Sequence, residues 1–132
     1  MDIYSQNILD HAKSPRNFGS LSGSKVSGHG KNSSCGDKLD LDLKIEDDKI
    51  IDLKFSGVGC AISQAAMSIL SEQVIGKSTE EIINLTFSDL VRILGIDISP
   101  RRIKCAALGL LTLQNIILQS RGESEKTWAD LK

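Results

Sequence analysis

Three cysteines and one aspartate are the residues of this chain best suited to bind a metal. Cys35 lies in N-S-S-C-G-D, Cys60 in G-V-G-C-A-I-S and Cys105 in R-I-K-C-A-A-L, and Asp37 follows Cys35 by two positions. No two cysteines form a C-x-x-C pair, so the spacing does not predict a zinc-finger site. Three thiolates and a carboxylate would nevertheless supply four ligands, enough for one tetrahedral metal ion or one small iron–sulfur cluster.

Other interpretations of these residues remain open from the sequence. Free cysteines are commonly buried as small apolar side chains, and an aspartate that follows a glycine is commonly a turn or cap residue. His11 and His29 are two further candidate ligands, the first on a predicted helix face and the second in a predicted loop before Cys35. Whether the cysteine, aspartate and histidine side chains lie close together therefore depends on the strands and helices that carry them.

The composition narrows the class of protein. The 132 residues are 40% hydrophobic with a formal net charge of -1, so no broad positive field favours nucleic acid or an anionic membrane. The N-terminus lacks the pattern of a signal peptide, and the most apolar stretch, residues 105–118, contains polar residues and is too short to span a bilayer. An odd number of cysteines argues against a disulfide framework. We therefore expect a cytoplasmic protein that forms a single domain over residues 1–132.

Two strands can be predicted with a turn between them. Apolar residues alternate with charged residues over 39–46 and again over 51–55, where Ile51, Leu53 and Phe55 are the apolar ones, the period of a half-buried strand. Asp47 and Asp48 supply turn residues between them, which predicts an antiparallel hairpin. A third strand is indicated at 25–29, inside a segment of glycine and serine (residues 14–37) that otherwise resembles a flexible loop.

Helices are predicted for the N-terminus and for most of the second half of the chain. Apolar residues recur at helical spacing, and serine, proline and glycine mark the helix ends. These helices are expected over residues 1–13, over 62–74 before Gly76, from the N-cap Ser78 with Glu81 in a capping box, around 90–94 before Gly95, and from Ser99-Pro100 onward. The expected architecture is α+β, a small antiparallel sheet of about three strands packed against a layer of helices.

The hairpin predicts where the cysteines lie. Cys35 precedes its first strand and Cys60 follows its second strand, so both belong to the same end of the sheet. Cys60 would start a helix, where the helix dipole favours a thiolate, and Cys105 lies next to Lys104 and near Arg101 and Arg102.

Four motifs resemble those of a known family. D-H-A-K-S-P-R-N-F-G-S-L (10–21), C-G-D (35–37), G-V-G-C-A-I-S (57–63) and the third cysteine at 105 occur in the order typical of U-type iron–sulfur cluster assembly proteins, the IscU, NifU N-terminal domain and SufU group. This resemblance implies a scaffold that accepts sulfur from a cysteine desulfurase, binds iron and builds a transient cluster, a 2Fe-2S cluster in our interpretation, for apo-protein acceptors. It also implies that Cys35, Asp37, Cys60 and Cys105 are the ligands, and we expect Cys105 to accept the persulfide.

One segment departs from the IscU pattern. IscU-type scaffolds carry L-P-P-V-K-L-H-C through the third cysteine, whereas this chain has I-S-P-R-R-I-K-C over 98–105, with Arg102 in place of the lysine and Lys104 in place of the histidine. The change argues against an Hsp70-type chaperone partner. R-I-K-C resembles the SufU branch, whose members bind zinc and relay persulfide sulfur, yet the 45 positions from Cys60 to Cys105 match IscU spacing.

Three hypotheses follow from these observations. The first is a cluster assembly scaffold, which we expect to act as a binding protein rather than as an enzyme. The second is a zinc-dependent sulfur carrier that holds zinc as isolated and in which Lys104 or a histidine replaces a departing cysteine. The third is a structural zinc domain. Arg16, Lys31, Arg101 and Arg102 are candidates for a partner-docking face, and Trp128 for a packing anchor or a frayed end.

Overall fold

The structure, a computed structural model, describes residues 3–33 and 36–131. It confirms the predicted α+β architecture, a three-stranded antiparallel sheet in the order β1-β2-β3 with helices packed on it. The elements are α1 (Ile3–Lys13), β1 (Val26–Asn32), β2 (Asp37–Glu46), β3 (Lys49–Val58), α2 (Ala61–Val74), α3 (Thr79–Ile83), α4 (Phe87–Leu94) and α5 (Ile103–Ser120). Short 3-10 helices cover Pro100–Arg102 and Trp128–Leu131.

The hairpin of β2 and β3 forms where the alternating pattern predicts it. Leu39, Leu41 and Leu43 are buried on one face of β2, and β3 pairs with β2 along its length. Asp47 and Asp48 both have positive φ, 51° and 62°, the left-handed conformation required by the favoured two-residue hairpin turns. This turn brings the end of β3 back beside the start of β2.

The glycine-rich segment forms a longer strand than predicted. We expected a loop over 14–37 with a weak strand at 25–29, but β1 extends through Asn32. The reason is close packing: a Cβ at Gly30 would lie 2.1 Å from Thr112 Oγ1, and one at Gly28 would lie 2.5 Å from Ile116 Cγ1. Glycine therefore lets α5 approach β1, and it also removes the alternating apolar side chains by which a strand is recognised.

Helix α5 is the centre of the core. It packs against β1, β2 and α2, and thirteen of its residues are buried, including Leu110, Leu113 and Ile117. The segment Pro100–Ser120 is apolar and long enough to cross a membrane, but 72% of its most apolar window is buried inside the protein. Packing in the core therefore accounts for its composition.

The helix ends mostly follow the predicted caps. Ser78 and Glu81 form the predicted capping box, and Gly95 ends α4 with φ 74°. A second capping box, formed by Thr86 and Asp89, was not predicted. The prediction of an α-helix from Pro100 is wrong for its first turn, since Pro100–Arg102 is a 3-10 helix and Ser99 makes no side-chain cap. Proline has no backbone N–H to donate, and it is tolerated in the first turn of a helix because the N–H groups of that turn have no carbonyl partner within the helix.

A buried glutamine joins α5 to the end of α3. Gln114 is fully buried, and its Nε2 lies 2.9 Å from the carbonyl oxygens of Ile82 and Leu85. The Ile82 carbonyl also accepts the backbone N–H of Leu85 at 3.2 Å, whereas the Leu85 carbonyl, just beyond the C-terminal end of α3, has Gln114 as its donor.

We predict that Gln114→Leu lowers the free energy of unfolding by about 1 kcal/mol, because it removes the Nε2 donor from the carbonyl oxygens of Ile82 and Leu85, a loss that removal of the buried, unpaired Gln114 Oε1 partly offsets. Urea denaturation monitored by circular dichroism measures this change. Gln119→Leu is the matched control, since Gln119 is exposed and its side chain bonds only Glu125 among the described residues. Equal stability losses in the two variants would contradict the assigned role of Gln114.

Candidate metal centre

Asp37, Cys60 and Cys105 meet at one end of the sheet. Asp37 begins β2, Cys60 is the N-cap of α2 two residues after β3, and Cys105 is the third residue of α5. One carboxylate oxygen and the two sulfur atoms lie within 4.8 Å of one another. Asp37 and Cys105 are buried and Cys60 is half-buried, so the group is open to solvent on the side of Cys60.

The carboxylate of Asp37 has one satisfied oxygen. Its Oδ1 accepts the backbone N–H of Cys60 at 3.1 Å, whereas Oδ2 is buried without a hydrogen-bond partner among the described residues. A Cβ at Gly59 would lie 2.6 Å from Oδ1, so glycine is required for this approach. A buried carboxylate oxygen without a donor is costly, and a cation beside it would compensate that cost. The donor set of one carboxylate and two thiols therefore fits a metal ion or an iron–sulfur cluster.

Cys60 lies at the positively polarised N-terminal end of α2. Its backbone is extended, with φ -73° and ψ 169°, and its side chain makes no capping hydrogen bond. The free N–H groups of the first turn of α2 create a positive end beside the sulfur. Its partial exposure and this field give Cys60 the features of a ligand or reactive thiol.

Arg102, and not Lys104, faces the thiols. A hydrogen bond with Cys105 and the nearby charge of the Cys60 thiolate raise the pKa of Arg102 above its usual value. Lys104 instead lies over the ring of Trp128, with Nζ 5.7 Å from the ring centroid. The hypothesis that Lys104 replaces the family histidine therefore has no support in this arrangement. Trp128 itself packs against the core, as expected of an anchor.

Neither histidine joins the group. His11 is buried, with Nδ1 2.6 Å from Ser68 Oγ and Nε2 3.5 Å from a carboxylate oxygen of Glu72. These contacts fasten α1 to α2, so His11 has a structural role. His29 is exposed on β1.

Two further residues singled out from the sequence are Cys35, a candidate ligand, and Arg16, a candidate for a docking face. Cys35 lies outside the described residues, so its assignment as a ligand stays a prediction. Arg16 pairs with Asp10 and donates to the backbone carbonyl of Ser14. These contacts within one short segment neutralise its charge, so the arginine needs no partner protein to explain it.

Asn32 is a neighbour of the site that sequence analysis missed. Its Nδ2 donates to Cys105 Sγ at 3.8 Å. Asn32 reaches the site because the register of β1 and β2 places it opposite Asp37. No motif in the sequence indicates this position.

Comparison with known proteins decides the family. The NifU-like N terminal domain family matches residues 3–126. This chain belongs to that family. The resemblance inferred from the four motifs is thereby confirmed.

The relatives carry two different functional names. The iron-sulfur cluster assembly scaffold protein IscU of Thermotoga maritima is 37% identical over 131 residues, covering 87% of this chain and 92% of its own. The zinc-dependent sulfurtransferase SufU of Bacillus subtilis is 34% identical over 137 residues, covering 91% and 92%. A crystal structure of a SUF-system scaffold protein from Fervidobacterium islandicum superposes with a TM-score of 0.74 at 33% identity, covering 85% of this chain and 94% of that one.

We predict that the free energy of unfolding falls as the pH drops below about 6.5. Burial and the charge of Arg16 lower the pKa of His11 from its ordinary value of 6.5, so the unfolded chain binds the proton more readily than the folded one. The stability that neutral His11 provides is therefore complete above 6.5 and is lost below it, at no more than about 1.4 kcal/mol per pH unit. Urea denaturation between pH 5 and 8 measures this slope.

His11→Asn should flatten that slope, because an amide cannot titrate in this range. His29→Asn, which changes the exposed histidine, is the control and should keep it. An unchanged slope in His11→Asn would assign the pH dependence to another group.

We also predict that Arg102→Gln slows alkylation of Cys60 by iodoacetamide at pH 7 by about two- to fivefold, because it removes the cation that lies beside the reacting sulfur. Peptide mass spectrometry after timed quenching gives the rate at this cysteine. Lys104→Gln removes a neighbouring charge that lies on Trp128 and should leave the rate unchanged. The assignment fails if the two variants slow the reaction equally.

Proposed function

We propose that this protein is a scaffold for iron–sulfur cluster assembly, which accepts sulfur from a cysteine desulfurase and transfers the finished cluster to apo-proteins. The observation that carries the proposal is the group of Asp37, Cys60 and Cys105, with ligand atoms within 4.8 Å and a buried carboxylate oxygen lacking a hydrogen-bond donor. Relatives named as scaffolds, such as the Thermotoga maritima protein, cover most of this chain.

Sulfur enters this scheme as a persulfide. The thiolate of Cys105, the proposed acceptor, attacks the outer sulfur of the desulfurase persulfide; a new S–S bond forms on Cys105, the donor S–S bond breaks, and the desulfurase cysteine leaves as a thiolate. Cys105 is 1% exposed, so acceptance requires its surroundings to open. Arg102 is exposed and faces Cys105, so movement of its side chain is one way to open the path.

Iron is the second substrate of the scheme. Cys35, Asp37, Cys60 and Cys105 are the proposed ligands, and the proposed product is a 2Fe-2S cluster. An external electron donor supplies two electrons to each persulfide, which breaks its S–S bond, releases sulfide for the cluster and restores the Cys105 thiolate. A carboxylate is a harder ligand than a thiolate and holds an iron–sulfur cluster less firmly, which suits a protein that must release its cargo. The chemistry requires reduced thiols, so we place the protein in a reducing cytoplasm.

A zinc-dependent sulfurtransferase is the second candidate. It is favoured by similarity to the Bacillus subtilis protein of that name and by Arg102, a cation suited to pair with a thiolate that leaves zinc. The same four residues would hold zinc, which would fix their positions and keep the thiols deprotonated.

Visible absorption distinguishes the two candidates. The protein is incubated anaerobically with ferrous iron, cysteine, a reductant and a cysteine desulfurase. A scaffold develops sulfide-to-iron charge-transfer bands that Cys60→Ser abolishes. A colourless protein that retains zinc and accelerates the desulfurase would overturn the scaffold proposal in favour of the sulfurtransferase.

We predict that Asp37→Cys slows cluster transfer to an apo-ferredoxin by about tenfold or more, because a fourth thiolate holds the cluster more firmly than a carboxylate. The rate is followed by circular dichroism of the acceptor cluster. Asp40→Cys, on the exposed face of β2, is the control for an added thiol. Faster transfer from Asp37→Cys would show that the carboxylate does not serve release.

A further inference from the structure

Asn32 connects two parts of the metal centre. It is the last residue of β1, it is 3% exposed, and it lies opposite Asp37 in the β1–β2 register. Its carbonyl oxygen accepts the N–H of Gly36 at 2.9 Å, and its side-chain Nδ2 donates to Cys105 Sγ at 3.8 Å. One residue thus contacts both the connection that leads to Asp37 and the sulfur at the start of α5.

The donor and the acceptor are both buried, so water competes little for this hydrogen bond. Cys105 is 1% exposed and Asn32 is 3% exposed. An N–H bond to sulfur strengthens as the sulfur gains negative charge, and it withdraws electron density from a sulfur that is bound to metal. The bond therefore acts most strongly on the thiolate, the form that binds a metal.

We propose that Asn32 is a positioning residue of the metal centre, which holds the Cys105 sulfur toward Asp37 and Cys60 and weakens its electron donation to the bound metal. This inference rests on the proposed function only in requiring Cys105 to be a ligand. It assigns to Asn32 the role of an outer-shell hydrogen-bond donor, a kind of residue whose loss commonly lowers metal affinity by a factor of about 10 to 100.

A purely structural role for Asn32 makes a different prediction. If Asn32 only satisfies buried polar groups, its replacement lowers stability but leaves the electronic properties of the bound sulfur unchanged. The energy of a sulfur-to-metal charge-transfer band separates the two roles, because it depends on the electron density at the sulfur and not on the stability of the fold.

The test uses Co²⁺ alone, added anaerobically to the reduced metal-free protein. In Asn32→Leu we expect the thiolate-to-cobalt charge-transfer bands to move to longer wavelength, because the freed sulfur donates more strongly. We expect the Co²⁺ affinity to fall about tenfold, because losing the fixed position of the sulfur outweighs that stronger donation. Asn32→Ala, which removes the same donor with less bulk, gives the same readout if the leucine variant does not fold.

Asn115→Leu is the matched control. Asn115 is a half-buried asparagine whose side chain bonds the backbone of Lys126 at 2.7 and 3.1 Å, away from the thiols. The Asn115→Leu variant should be less stable than the wild-type protein, with no change in its cobalt spectrum or its Co²⁺ affinity.

Two negative results have different meanings. If the wild-type protein binds Co²⁺ with thiolate bands and neither Asn32 variant changes their energy or the affinity, the role of Asn32 is overturned while the metal site stands. If the wild-type protein shows no thiolate bands, the ligand assignment and the role of Asn32 both fail.

Discussion

The hydrogen bond from the Cys60 N–H to Asp37 Oδ1 is the contact on which the site depends. It joins the first residue of β2 to the N-cap of α2, and Gly59 leaves the space for it. The bond uses one carboxylate oxygen as a helix cap and leaves the other buried without a donor. A single aspartate therefore fixes the geometry of the site and also creates its demand for a cation.

The position of Cys105 depends on packing at a distance. Helix α5 carries this cysteine to the end of the sheet because it lies close against β1 at Gly28 and Gly30. A side chain at either glycine would push the helix outward and move the sulfur away from Asp37. The close packing of the core thus sets the spacing of candidate ligands that come from three separate elements.

The sequence predicts those parts of the fold that depend on local chemistry. The hairpin, the capping box of Ser78 and the glycine end of α4 follow from patterns within a few residues, and all three are present. The extent of β1 and the role of Asn32 depend on contacts between distant residues, and neither follows from a local pattern. The histidines illustrate the same limit, because His11 has the chemistry of a ligand but lies 2.6 Å from Ser68 in the packing of α1 on α2.

The basic residues around Cys105 explain how the site can function without the histidine of the IscU pattern. Two basic residues at the start of α5, two positions apart, have different roles, since Arg102 faces the thiols while Lys104 packs on Trp128. An arginine does not coordinate a metal but can pair with a thiolate, so it stabilises a cysteine that has left its metal and opposes the positive charge of a bound ion. Both effects favour release over retention. With a carboxylate beside the thiols of Cys60 and Cys105, the described residues of this site are suited to temporary binding, which is the property that a scaffold and a sulfur carrier share.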